Sequence, residues 1–171
     1  MKIIGFHKPE EPYGCFSNWY PAAFTYEGIR YNCVEQYMMA EKTAMGGRDD
    51  LRRKIMEETD PGRMRYLAGK DRFLEFKQIE TRWDENCRQI VKRGVKAKLL
   101  QNPAILETLL GTGNAVLAEC ARGDEIWGIG INLHDSDWKD ISNWKGKNYL
   151  GRILMQLREE LRPKASGPGK N

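Results

Sequence analysis

A chain of 171 residues, 40% apolar and 10% aromatic, fits one domain with a buried core of its own. The mean hydropathy of −0.67 is that of a globular protein on the polar side, and no run approaches the ~18 apolar residues of a membrane span. Lys and Arg number 28 against 24 Asp and Glu, and the net charge of +4 permits an anionic substrate without the steep excess typical of nucleic-acid binders.

In chain order, Lys2 to Phe6 is expected as a short strand. Its apolar residues Ile3, Ile4 and Phe6 give way at once to charge and proline, so no signal peptide is predicted. Phe24 to Tyr31 reads FTY-EG-IRY, two β-prone triplets around a two-residue turn, which predicts a hairpin. Asn32 is expected to cap a helix running to about Ala44, with Gly46-Gly47 ending it. A short helix is expected from Asp49 to Thr59, and Asp60-Pro61 opens the next. Trp83, Cys87, Ile90, Val91, Val95 and Leu99 recur at helical spacing and predict a long helix from Thr81 to Leu100. Pro103 starts another, ending near Gly111. Ala115 to Cys120 suits a buried strand. Ile126 to Ile131 reads as a strand whose two glycines argue for a bend or close packing. Asn148 to Leu161 closes the domain as a helix with Leu150, Leu154, Leu157 and Leu161 inward. Helices outweigh strands, so a mostly helical α+β domain is expected over residues 1–162, with a Pro/Gly-rich flexible tail over 163–171.

Cys15, Cys33, Cys87 and Cys120 are scattered without a C-x-x-C pair, and His7 and His134 are the only histidines. Neither a disulfide framework nor a zinc site is suggested, so no metal and no cofactor are expected, and the thiols fit a reducing cytoplasm. No Walker, G-x-G-x-x-G or G-x-S-x-G signature occurs.

The chemistry-bearing residues each have a plain reading beside a functional one. Glu35 and Lys42 are seven apart on one helix, so they share a face about two turns, or ~10 Å, along the axis. They can line a cleft; alternatively Glu35 completes a capping box with Asn32 and Lys42 opposes the helix dipole. Pattern alone favours the plain pair. Trp83 is a core residue or a stacking platform. Asp124 is a turn residue or an acid, and Trp127 sits among glycines that serve either a ligand or a bend. Asn148, beside two lysines, is a helix cap or a phosphate anchor.

Four blocks in register carry a family resemblance: Tyr13 to Thr43 with its S-N, aromatic hairpin and E-x-Y-x-x-x-x-K; Trp83 with VKAKL; Leu109 to Gly130 with T-x-x-x-x-L-x-E and D-x-x-W-G-x-G; and Trp144 to Leu161. From about Ile3 to Leu161 the chain resembles the NADAR family, and within it the YbiA-like N-glycosidases. The resemblance implies a single YbiA-like domain that hydrolyses an N-glycosidic bond at a ribose carbon. The implied substrates are phosphoribosylamino intermediates of riboflavin synthesis or ADP-ribose on guanine, the latter in nucleic acid. It implies catalytic roles for Glu35, Lys42 and Asp124. It implies substrate binding by Phe6, Ser17, Asn18, Tyr37, Trp83, Glu119, Trp127, Gly128 and Asn148. One departure is that His7 follows Phe6 where many relatives carry a second aromatic, and another is a longer loop from Leu133 to Trp144.

Cleaving such a bond builds positive charge on the sugar, which a carboxylate, here Glu35, would stabilise while activating water. Lys42 would pair with phosphate or attack C1 of the opened sugar as an amine. Without a fused transferase, the expectation leans toward the small metabolite; the oligomeric state is left open. A non-catalytic ADP-ribose-binding module is the alternative, and it could dispense with Glu35 and Lys42.

Overall fold

A computed structural model describes residues 1–69 and 72–163, so most of the expected tail lies outside the described residues. Within them the chain is a mostly helical α+β domain. The N-terminal strand β1 (Ile3–Phe6) is followed by a 3₁₀ turn at Gly14–Phe16 and a hairpin of β2 (Phe24–Tyr26) and β3 (Ile29–Tyr31). The hairpin is the expected one: Phe24 faces Tyr31, and Glu27 and Gly28 both take positive φ, 49° and 78°. Two such residues match the right-handed twist of the strands they join.

The first helix, α1 (Val34–Met45), corrects the expected cap. Cys33, not Asn32, is its N-cap residue, and no side chain caps it. With the register one residue later, Gln36 accepts from the Asn32 N–H at 2.8 Å. The Gln36 amide also donates to the carbonyls of Ile55 and Glu58, tying α1 to the end of α2 (Asp49–Glu57). Glu35 is thereby freed from the capping box. In α3 (Pro61–Leu67) the Asp60 side chain caps the Gly62 N–H at 3.0 Å, as its sequence predicts.

The long helix α4 (Phe76–Gln101) begins five residues before the expected Thr81. Phe76 lies seven residues before Trp83 and extends the same buried stripe. At 26 residues it spans ~39 Å. It packs against α1, β2, α5 (Pro103–Gly111) and α6 (Tyr149–Leu161). Gly94 lets the Tyr37 ring approach α4 closely: a Cβ there would meet the ring at 2.4 Å.

The strand β4 (Val116–Glu119) pairs with β1 in parallel, Ile3 opposite Val116 and Phe6 opposite Glu119. The pairing brings residue 7 beside residue 119, 112 positions apart in sequence. Ile126 to Ile131 is not a strand; it bends, with a single bridge from Arg122 to Gly130. The reason is close packing at Gly128, where a Cβ would lie 2.8 Å from the Glu119 carbonyl oxygen. Ile129 donates its N–H to that same carbonyl at 2.9 Å. Loop 133–144 lays Leu133, Trp138 and Trp144 over a small cluster of Ala118, Cys120, Ile129 and Ile131.

Helix α6 sits directly on β4. Leu150, Ile153, Leu154 and Leu157 are buried, and Leu161 packs at the edge of the core. A Cβ on Gly151 would come within 2.2 Å of the Leu117 carbonyl oxygen and 2.5 Å of the Asn148 side-chain oxygen. Gly151→Ala is therefore expected to cost about 2–4 kcal/mol, because backbone must move to admit the methyl. Urea denaturation checks this, and an unchanged midpoint would contradict the close approach of α6 to β4.

Candidate active site

The site is built from the loop before the hairpin, the first turns of α1, the end of α3, and the turn after β4. Ser17 and Asn18 are buried and pinned from two sides. The Asn18 carbonyl accepts the Glu35 N–H at 2.9 Å. Lys98, on α4 and only 2% exposed, donates its Nζ to the Ser17 carbonyl at 3.0 Å. The loop thus presents Trp19 at 38% exposure beside the start of α3. The Asn18 side-chain oxygen is buried and has no hydrogen-bond partner among the described residues.

Glu35 is 3% exposed, and its Oε1 is likewise without a hydrogen-bond partner. Burial pushes its carboxyl up to about 7. The charge of Arg65, a hydrogen bond to Trp19 and the charge of Lys42 act against that rise, while Asp124 adds to it. Lys42 lies two turns further along α1. Its Nζ donates to the Ala68 carbonyl at 2.9 Å and sits 4.1 Å over the Phe76 ring.

Asp124 organises the turn that carries Trp127. Its Oδ1 accepts from the N–H groups of Ile126 and Trp127 at 3.1 and 2.8 Å. Its charge reaches both Glu35 and Glu119. Trp127 is half-buried and meets Tyr149 edge-on.

Glu119 ends β4 and is 6% exposed. Its N–H donates to the Asn148 side-chain oxygen at 3.1 Å, and the Asn148 amide donates to the Leu117 carbonyl at 2.8 Å. Asn148, held at φ 52°, is therefore a clamp between β4 and α6. The Glu119 carboxyl is pushed up to about 7 by burial, against a hydrogen bond from His7 and that residue's charge.

Glu35, Glu119 and Asp124 thus share one electrostatic neighbourhood with Lys42, supported by Ser17, Asn18, Trp127, Gly128 and Asn148. Phe6, Tyr37 and Trp83 lie in the apolar core. Phe6 meets Phe16 edge-on, and Tyr37 is boxed by Phe24, Tyr26 and Tyr31. Sequence reasoning missed Trp19, Arg65, Lys98 and His7. Trp19 directly follows the S-N pair and Lys98 lies in VKAKL, so both had a signal; Arg65, one of several basic residues on α2 and α3, had none.

A surface concavity of about 370 Å³ lined by Glu41, Met45, Arg82 and Arg93 shares no residue with this cluster. A second, of about 300 Å³, includes Phe76, the ring beneath Lys42. Among the described residues no group of three His, Cys, Asp or Glu side chains could hold a metal ion. No described helix is long and apolar enough to cross a membrane.

Comparison with known proteins gives the class. The NADAR domain profile matches residues 5–162, so the chain belongs to the NADAR family. It is 35% identical to N-glycosidase R617 of Acanthamoeba polyphaga mimivirus, covering 93% of this chain and 96% of that protein. It is 29% identical to N-glycosidase YbiA of Escherichia coli strain K12, over 93% of this chain and 88% of the relative. It is also 32% identical to Riboflavin biosynthesis protein VVA0006 of Vibrio vulnificus strain YJ016, matching 95% of this chain but 39% of that longer protein. The solution structure of the E. coli protein YbiA superposes with a TM-score of 0.71 at 26% identity, covering 94% of this chain and 84% of that one.

A carboxyl raised by burial from 4.5 to about 7 holds its proton in the folded chain where the unfolded chain has lost it. Stability therefore falls as pH rises between those two values. Glu35→Gln removes that penalty. It is expected to raise stability at pH 8 by on the order of 1–3 kcal/mol, with little gain at pH 5. Thermal melts at the two pH values check this; an equal or negative effect at pH 8 would contradict the burial of an ionised Glu35.

Proposed function

We propose that this protein is an N-glycosidase that hydrolyses the bond between C1 of a phosphorylated ribose and a nitrogen of its base. The observation that carries this reading is Glu35: a buried carboxyl with one oxygen unpartnered among the described residues, hydrogen-bonded by Trp19 and under the charges of Arg65, Asp124 and Lys42. Such a group is costly to keep unless it meets positive charge during the reaction. Departure of the base leaves an oxocarbenium-like sugar, and the ionised Glu35 stabilises it and takes a proton from the attacking water. The proton that Glu35 takes from water passes on to the nitrogen of the departed base, and the water oxygen becomes the C1 hydroxyl.

Lys42 fits either of two steps. As a fixed cation it holds the substrate's phosphate. As an amine it attacks C1 of the ring-opened sugar, the base leaves, and water then hydrolyses the imine to free sugar and lysine. Asp124 holds the turn that presents Trp127, whose exposed face can stack on the leaving base. Ser17 and Asn18 supply polar groups for the ribose. A phosphoribosylamino-pyrimidine is the favoured substrate, in keeping with the riboflavin-related relative. ADP-ribose on guanine, free or in nucleic acid, is the second candidate.

Mass spectrometry of the purified protein with each compound tests the reading. Release of ribose 5-phosphate from the first is expected; binding of both without cleavage would contradict an enzyme. Glu35→Gln, still folded, is expected to lower turnover at least about 100-fold. Because the ionised form is the active one, kcat/KM is expected to rise with pH through about 7, where Glu35 loses its proton. A profile that falls over that range would instead make Glu35 a proton donor. Trapping with borohydride during turnover decides between the two steps for Lys42, since only the amine step leaves a reducible adduct.

A further inference from the structure

We propose that His7 is a positioning residue of this site, donating from Nδ1 to Oε1 of Glu119 so that Oε2 is left to accept a hydrogen bond from the substrate. The inference rests on the N-glycosidase reading and deepens it. The contact is 3.1 Å long, and it joins two residues 112 apart in sequence. The β1–β4 register enforces it, because Phe6 lies opposite Glu119 and His7 is the next residue along.

The Glu119 carboxyl is otherwise stranded. Its Oε2 is buried and has no hydrogen-bond partner among the described residues. Burying an acceptor this way is costly unless a donor arrives. The backbone of Glu119 is held independently by Asn148, so its side chain is not needed to build β4. Its ionised neighbours are Asp124, which disfavours its charge, and Lys98, which favours it from α4. Lys98 donates to the Ser17 carbonyl, so among the described residues the hydrogen bond of His7 is the one that holds the Glu119 carboxyl. His7 in turn is influenced by Glu11 and opposed by Lys8. Its pKa is raised, first by the hydrogen bond to Glu119, and His7 in turn lowers the Glu119 carboxyl against the larger effect of burial.

Removing His7 takes away both a donor and a positive charge, so Glu119 then holds its proton to higher pH. The test is the pH profile of kcat/KM on whichever N-glycoside the protein cleaves, for wild type, His7→Phe, His7→Gln and Glu119→Gln. Activity then requires Glu119 as well as Glu35 to be ionised, and His7→Phe is expected to move the Glu119 part of the acid limb up by about one pH unit, so that kcat/KM falls about fivefold at pH 7 and recovers to within about threefold at pH 9. His7→Gln keeps a donor without the charge and is expected to fall between. On a Glu119→Gln background, His7→Phe is expected to change nothing further. A loss in His7→Phe that is equal at every pH, or that persists beside Glu119→Gln, would overturn the role. A parallel NMR titration of the His7 ring needs no turnover: its pKa should exceed 6.5 in wild type and fall in Glu119→Gln. An unchanged His7 titration overturns the pairing itself. Absence of any N-glycoside cleavage, with the His7 titration as expected, overturns the underlying activity and leaves the contact standing.

Discussion

Two buried carboxyl groups, Glu35 and Glu119, each with one oxygen unpartnered among the described residues, set the terms for everything around them. A carboxylate in an apolar interior either picks up a proton or gathers positive charge. This fold does some of both. It leaves each carboxyl raised to about 7, and it sets the charges of Arg65 and Lys42 against Glu35 and those of His7 and Lys98 against Glu119, drawn from four different parts of the chain. A site of this kind is destabilising by itself and is tolerated where the groups act on a ligand.

The scaffold explains how so small a domain holds these groups in place. The parallel pairing of the first strand with β4 closes the chain on itself and fixes His7 against Glu119. Asn148 then locks β4 to α6 through both ends of its amide, and Gly151 lets the helix descend onto the strand. On the other side, Lys98 and the N–H of Glu35 grip the Ser17–Asn18 loop. The acids therefore sit between two clamps, one from α6 and one from α4. Rigid supports of this sort keep a reacting group aligned without spending substrate binding energy on ordering it.

Local signals carried much of the fold. The E-G turn, the apolar stripe of α4 and the Asp60-Pro61 cap each act through neighbours in sequence, and each formed as its residues suggest. What failed was non-local. The Asn32 cap lost to Gln36, because Gln36 also satisfies carbonyls at the end of α2, a gain invisible from the helix itself. Ile126 to Ile131 has the composition of a strand, yet Gly128 presses on the Glu119 backbone and the chain bends. At the site, Glu35, Lys42 and Asp124 were legible as motif positions. For Glu35, the N-cap at Cys33 and the buried carboxyl do not fit the capping-box reading. Arg65 was illegible, since its relevance depends on α3 folding back beside α1.

The central claim is that Glu35 is an acid poised by burial within a ligand site. It is tested most directly by a carbon-detected NMR titration of the glutamate side-chain carboxyls, with Glu35 assigned by comparison with Glu35→Gln, in the absence and presence of ribose 5-phosphate. The account predicts a Glu35 midpoint near 7 in the free protein and a shift when the sugar phosphate binds. A midpoint near the ordinary 4.5, unmoved by the ligand, would contradict it.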